Sequence, residues 1–230
     1  MTHHEILGLE ATPDRAPMIA AVTRWLRAHL GGEGTARPFM VLSASKGMGK
    51  SRMLQTLQRR HHEERAKMVR ECGCGGTGWL SPEVIIDRRA PRNYTRCLCI
   101  KKGRTEYIEC WSNMKRNAPV GLQELIKREA LWGEERSNAL DRLWNLLDAR
   151  LLLVDEVGGE DERPAVWMTG FTRFIDARAG KPTIFATNLT ATKLSDLYRD
   201  SRIIDRLLGE GVSEYHRFEG ESWRHTGGAA

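Results

Sequence analysis

Residues 43–51 read SASKGMGKS, and they decide how the rest of the chain is interpreted. The stretch ends in Gly49-Lys50-Ser51, as a phosphate-binding loop does. That pattern also has a glycine five residues before Gly49, where this chain has Ala44. Alanine is the smallest alternative to glycine, so the exchange is tolerable if residue 44 needs no positive φ.

The setting of this loop gives it a mechanism. The buried strand PFMVLSA precedes it, and a helical pattern resumes after Ser51. Glycines there allow successive N–H groups to wrap a phosphate, and the helix N-terminus adds partial positive charge. Lys50 would reach the β- and γ-phosphates, and Ser51 would be a ligand of Mg²⁺. The predicted nucleotide-binding residues of the loop are Ser45, Lys46, Gly47, Met48, Gly49, Lys50 and Ser51.

A second element lies about a hundred residues further on, where the apolar run LLLV leads into Asp155 and Glu156. A buried strand ending in carboxylates has the pattern of a Walker B element: Asp155 would hold the Mg²⁺ shell and Glu156 would be the general base for water. A surface acidic pair is the alternative for either carboxylate alone. Two matching elements, each at the carboxyl end of a strand, indicate a nucleotide site.

Asn188 ends another predicted strand, PTIFATN. Its amide is a candidate to contact the γ-phosphate or to orient the water. The alternative is an asparagine that simply forms the turn in NLT.

Strands alternate with helices along the chain, which predicts parallel βαβ units with ligands outside the carboxyl ends of the strands. Helices are predicted over about 15–30 and 191–208. A further amphipathic helix, NALDRLWNLL, has its apolar residues at i, i+3, i+4 and i+7. These residues are Leu140, Leu143, Trp144 and Leu147.

Composition limits the classes of protein. The chain has 230 residues, 40% of them hydrophobic and 29% charged, which describes a globular protein with one medium domain. No apolar run approaches the roughly 20 residues that a membrane span needs, and the N-terminus does not read as a signal peptide. We therefore expect a cytoplasmic location and no membrane partner.

The segment 72–104 is rich in Gly, Arg and Cys and reads as an insertion. Cys72, Cys74, Cys97 and Cys99 form two Cys-x-Cys pairs, and four thiolates suit tetrahedral Zn²⁺. Free buried or redox-sensing cysteines are the alternative. Seven Arg or Lys residues between positions 85 and 105 face one acid, a local charge of 7 − 1 = +6. Such a stretch favours a nucleic-acid backbone as partner, although a solvated charge run is the usual alternative.

Together, four stretches resemble the AAA+ ATPases of the DnaC/DnaI helicase-loader and IstB-like group. They are SKGMGKS, LLLVDEVG, PTIFATNL and the tail SRIIDRLLGEG…HRFEGESWR, and the resemblance covers roughly residues 15–225 apart from the insertion. It implies an α/β P-loop NTPase fold (ASCE/AAA+), with a parallel five-stranded sheet in the order 5-1-4-3-2, flanked by helices. The predicted organisation is an N-terminal segment and helix over 1–35 and an ATPase core over 36–230 that carries the insertion.

By matching position, the resemblance assigns sensor 1 to Asn188 and the arginine finger, given to a neighbouring subunit's ATP, to Arg202. Arg206 is the nearest rival for the finger. The resemblance further implies a Mg²⁺-dependent ATPase that self-associates through its ATP interfaces, binds single-stranded or duplex DNA, and loads or remodels a replicative hexameric helicase. The alternatives are an IstB-like regulator of transposition, with a transposase as partner, and a zinc-bearing DNA-binding adaptor that uses nucleotide only as a switch.

Overall fold

The computed structural model describes residues 12–30, 37–70, 79–80, 95–96, 105–111, 120–160, 165–220 and 222. Its helices are α1 (Ala16–Leu30), α2 (Lys50–Arg70), α3 (Leu122–Glu129), α4 (Glu134–Asp148), α5 (Ala165–Ala177), α6 (Ala191–Tyr198) and α7 (Ser201–Leu208). Its strands are β1 (Phe39–Ala44), β2 (Trp79–Leu80), β3 (Thr95–Arg96), β4 (Thr105–Glu109), β5 (Leu151–Val157), β6 (Thr183–Thr187) and β7 (Ser213–Phe218).

A five-stranded sheet in the order β4-β5-β6-β1-β7 organises the described residues, and all its neighbouring strands run parallel. Numbered within the sheet alone, and read from β7, the order is 5-1-4-3-2. The predicted order is therefore confirmed. Because all five strands point the same way, their carboxyl ends meet at one edge, where the loops after β1, β5 and β6 come together.

Helices cover both faces of the sheet, so its strands are apolar on both sides. On one face, α1 and α2 pack over Met40 and Leu42 of β1 and over alternate residues of β5 and β6. On the other face, α3 to α7 pack over Phe39 and Val41 of β1. This alternation is the period of a strand, and burial of each large apolar side chain stabilises the fold by about 1.5–3 kcal/mol.

The predicted face of α4 is only partly buried. The buried stripe of this helix consists of Ala139, Leu143 and Leu146, whereas the Trp144 side chain is 66% exposed. The buried residues Ala139 and Leu146 each directly precede a residue of the apolar pattern, Leu140 and Leu147. The contact stripe is therefore displaced from the centre of the apolar pattern. Of the four residues in the apolar pattern, only Leu143 belongs to the buried stripe.

The single helix predicted over 191–208 is two helices. Arg199 has φ of 50° and ends α6, and the Asp200 side chain accepts a hydrogen bond from the Arg202 N–H to cap the start of α7. An aspartate N-cap satisfies N–H groups that a new helix leaves open, so the chain restarts there. No pattern in the sequence predicted helix α3.

The segment 72–104 contains the short antiparallel pair β2–β3. The predicted zinc ligands Cys72, Cys74, Cys97 and Cys99 lie outside the described residues, as does most of the basic stretch. Within the residues that are described, no group of three or more His, Cys, Asp or Glu could hold a metal ion. Nor is any helix in that part of the chain long and apolar enough to cross a membrane.

Candidate nucleotide site

The glycine loop joins β1 to α2 at the carboxyl edge of the sheet. Gly47 and Gly49 have φ of 86° and 89°, conformations that glycine adopts without the strain of a side chain. Ala44 is not among the described residues with positive φ, so alanine meets the requirement there. The loop therefore has the backbone geometry that the sequence predicts.

Lys50 is the first residue of α2, and it is buried. Its Nζ atom donates hydrogen bonds to Ala44 O at 2.7 Å, to Ser45 O at 3.1 Å and to Asn188 Oδ1 at 2.8 Å. Burial lowers the pKa of Lys50 from 10.5 to about 8, against the opposing attraction of Asp155 and Glu156. The three fixed acceptors therefore offset only part of the desolvation of this ammonium group.

The two carboxylates of β5 lie in a local irregularity of the sheet. The register against β6 shifts between Val154 and Val157, and Glu156 has φ of 58°. Positive φ at a residue other than glycine is strained, and bulges near functional sites serve to re-aim side chains. Asp155 is 2% exposed, and its Oδ1 atom accepts the Glu156 N–H at 2.9 Å. The bulge lets two consecutive acids serve one site.

Asn188 connects the cation to the second acid. Its Oδ1 atom accepts from Lys50, and its Nδ2 atom donates to Glu156 Oε2 at 3.3 Å. An amide suits this place because it is an acceptor on one side and a donor on the other. The structure therefore brings together the three residues that the sequence predicted at the ends of β1, β5 and β6.

These residues surround a cavity of about 680 Å³, a size typical of small-ligand sites. Its lining includes Lys46, Gly47, Gly49, Lys50, Ser51, Trp111, Glu156 and Asn188. The Ser51 hydroxyl lines this cavity, and the Asp155 carboxylate, which is 2% exposed, directly precedes the lining residue Glu156. Both are oxygen donors of the hard type that Mg²⁺ prefers. The donor set thus fits Mg²⁺. Met48 is fully buried beneath the loop and helps to hold it.

The predicted arginine finger lies apart from this cluster. Arg202 is on α7, where its side chain is 72% exposed and its Nε atom is 3.8 Å from Asp200 Oδ1. Arg206 is bound more closely, with Nε donating to Asp176 Oδ1 at 3.1 Å. In the described part of the chain, neither arginine contacts the glycine loop, so a role for either would require a neighbouring subunit.

The sequence does not predict two further groups of polar contacts near the site. The Tyr107 hydroxyl donates to Asp155 Oδ2 at 3.0 Å, and burial together with Asp155 raises the pKa of this phenol above its usual value. Arg217 of β7 donates to Ser43 Oγ at 2.9 Å, and Ser43 donates to Leu189 O at 2.6 Å. Both connections depend on which strands are neighbours in the sheet, and no local sequence pattern predicts this pairing.

The tail after β7 lies against the glycine loop. A Cβ atom at Gly47 would overlap Ser222, and one at Gly220 would come within 2.9 Å of Met48 Sδ. The positive φ of Gly47 adds to the need for glycine there, whereas at Gly220 the side chains of Asp14 and Met48 would have to shift to admit a Cβ atom. Gly220 and Ser222 therefore lie directly against the loop.

The fold is similar to that of several solved replication proteins. A DnaA replication initiator bound to AMPPCP and single-stranded DNA has a TM-score of 0.55 at 14% identity, covering 96% of this chain and 50% of that one. The DnaI structure has a TM-score of 0.52 at 13% identity, covering 96% and 93%. The ORC1 protein of Aeropyrum pernix in complex with DNA has a TM-score of 0.52 at 14% identity, covering 97% and 51%.

At this identity the likeness establishes the fold. The described residues have the AAA+ P-loop fold of these proteins, and the resemblance drawn from the motifs is confirmed at that level. The chain spans about half the length of the DnaA structure it matches. No protein-family model matches the chain, and no curated protein matches it.

Proposed function

We propose that this protein is a Mg²⁺-dependent AAA+ ATPase that oligomerises on DNA and loads or remodels a replicative helicase. The observation that carries the proposal is the chain of contacts from Lys50 through Asn188 to Glu156 at the carboxyl edge of a parallel sheet. A site that only bound nucleotide as a switch would need no carboxylate placed to activate water. The adaptor alternative is therefore less well supported.

Each residue has a role that its position supports. The N–H groups of the glycine loop and the Lys50 ammonium would bind the phosphates, and Ser51 and Asp155 would hold Mg²⁺, which supplies charge neutralisation when bound. Glu156 would accept the proton of the attacking water, and Asn188 would orient the Glu156 carboxylate. In an oligomer, Arg202 of a neighbouring subunit would stabilise the charge on the transferred phosphoryl group.

The proposed role in replication rests on the similar solved structures and on the net charge of the chain. Among the similar structures, DnaA and ORC1 were solved with DNA, and DnaI matches over nearly its whole length. The net charge of +6 suits a polyanionic partner. Helicase loading, self-association and the DNA contact of the basic stretch all belong to this proposal.

A partner-capture experiment tests the pathway. A tagged Glu156→Gln protein, which should bind ATP without hydrolysing it, is incubated with host lysate, ATP and Mg²⁺, and the bound proteins are identified by mass spectrometry. We expect a hexameric replicative helicase. Lys50→Ala, which should not bind ATP, serves as the matched control and should recover none.

Other outcomes are informative in different ways. Recovery of a transposase in place of a helicase would contradict the loader assignment and support the transposition alternative. Equal recovery of the helicase by Lys50→Ala would contradict the dependence of the complex on this nucleotide site.

A further inference from the structure

We propose that Tyr107 is a positioning residue for the Mg²⁺ site, holding the carboxylate of Asp155 in the orientation that the metal shell requires. This inference rests on the proposed function, because it concerns how the same site binds its metal. Tyr107 belongs to none of the motifs in the chain. The pairing of β4 with β5 alone places it beside Asp155.

The register of two strands brings the phenol to the acid. Tyr107 of β4 is the direct partner of Leu153 in β5, so Asp155 is its diagonal neighbour on the same face of the sheet. An aromatic side chain spans that diagonal, and the hydroxyl reaches Asp155 Oδ2 at 3.0 Å. The ring packs against the cluster formed by α1, α2 and the sheet, which fixes the direction of the hydroxyl.

The phenol donates to Asp155, because a carboxylate has no proton to give, and a third residue donates to the phenol in turn. Gln55 of α2 approaches the Tyr107 hydroxyl with its Nε2 atom at 3.4 Å. The amide nitrogen donates and the phenol oxygen accepts, which is compatible with the phenol proton pointing to Asp155. The relay from Gln55 through Tyr107 to Asp155 joins the helix that follows the glycine loop to the predicted metal ligand.

The contacts of Asp155 show what the phenol contributes. Oδ1 accepts the backbone N–H of Glu156, and Oδ2 accepts the phenol O–H. With one donor on each oxygen the plane of the carboxylate is fixed, and each oxygen keeps a lone pair for the metal or its waters. Outer partners of this kind orient metal ligands, and their loss typically lowers metal affinity about 10–100-fold.

Binding of Mn²⁺, used in place of Mg²⁺ and followed by electron paramagnetic resonance, tests the proposal without a turnover measurement. Protein saturated with ADP is titrated with Mn²⁺ as wild type, Tyr107→Phe and Tyr215→Phe. We expect the Kd for Mn²⁺ to rise about tenfold in Tyr107→Phe. Tyr215→Phe makes the same chemical change on β7, away from Asp155, and should bind Mn²⁺ as the wild type does.

Affinity for ADP in the presence of EDTA separates metal positioning from a general structural role. Tyr107 contacts the acid and not the glycine loop, so Tyr107→Phe should bind metal-free ADP like the wild type. Equal Mn²⁺ affinity in Tyr107→Phe and wild type would overturn the inference, as would an equal loss of metal-free ADP binding. If the wild type itself bound neither ADP nor Mn²⁺, the proposed function would fail instead.

Discussion

The Nζ atom of Lys50 lies 2.8 Å from the Oδ1 atom of Asn188, although 138 residues separate them in sequence. The sheet makes this contact possible, because β1 and β6 are parallel neighbours with Ser43 opposite Thr187. The residues that follow these two positions leave the sheet at the same edge. An amide that also reaches Glu156 therefore couples the lysine that would bind phosphate to the acid that would activate water.

Removing the Asn188 side chain should separate binding from turnover. In Asn188→Ala we expect kcat for ATP hydrolysis to fall about 100-fold, because Glu156 loses the donor that orients it. Affinity for ADP should stay close to that of the wild type, since the glycine loop is intact. Steady-state phosphate release and ADP titration measure the two effects, with Asn138→Ala on the exposed side of α4 as control. A wild-type kcat in Asn188→Ala would contradict the role of the amide.

Nucleotide affinity should depend on pH through Lys50. Its pKa is lowered to about 8, and bound phosphate would favour the protonated form and raise that pKa. Above pH 8, binding must therefore take up a proton, and ADP affinity should fall about tenfold per pH unit. ADP titrations between pH 7 and 9.5 measure the slope.

Lys50→Arg provides the matched comparison, because a guanidinium stays protonated over this range and its profile should be flat. A flat wild-type profile up to pH 9.5 would show that Lys50 keeps its ordinary pKa.

A mixture of two inactive variants tests the arginine finger. Arg202→Ala should bind ATP but lose turnover, because no arginine stabilises the transferred phosphoryl group. Glu156→Gln should also bind ATP without turnover, because it lacks the carboxylate that accepts the proton of water. When the two chains are mixed, the Arg202→Ala site receives an arginine from a Glu156→Gln neighbour, and ATPase activity should reappear. Arg206→Ala is the comparison, because Arg206 is already paired with Asp176 at 3.1 Å. A mixture that stays inactive while Arg206→Ala mixtures recover would transfer the role to Arg206.

The buried Arg178 should be essential for stability. Its side chain is fully buried and donates to Ala149 O at 2.5 Å and to Pro182 O at 2.6 Å, joining the ends of α4 and α5 to the start of β6. Arg178→Met would leave these carbonyls without that donor, and we expect the free energy of unfolding to fall by about 3 kcal/mol. Urea denaturation measures it. Arg173→Met, on the exposed side of α5, should change stability by less than about 0.5 kcal/mol, and equal values for the two variants would refute this role.

The sequence predicted the site residues best where the chemistry is local. Two glycines before Lys50 determine a loop conformation within a few residues, and an apolar strand ending in Asp155 carries its own signal. The sheet order followed from resemblance and is confirmed. The loop and the acidic strand needed no knowledge of which strands are neighbours, beyond the general rule that parallel strands end at one edge.

What escaped prediction depends on register and on three-dimensional burial. Tyr107 reaches Asp155 only because β4 pairs with β5 in one particular register. The bulge that gives Glu156 its positive φ arises between β5 and β6. Trp144 fits the apolar period of α4 and is nevertheless exposed, because an apolar pattern does not say which of two adjacent stripes will be covered.

Phosphate release from ATP by the wild type and by Lys50→Ala tests whether the loop at residues 43–51 belongs to a working ATPase site. We expect Mg²⁺-dependent hydrolysis by the wild type that disappears in Lys50→Ala, together with the loss of ADP binding, while the unfolding midpoint shows that the variant remains folded. Hydrolysis by Lys50→Ala at the wild-type rate would show that the loop at residues 43–51 is not the nucleotide site.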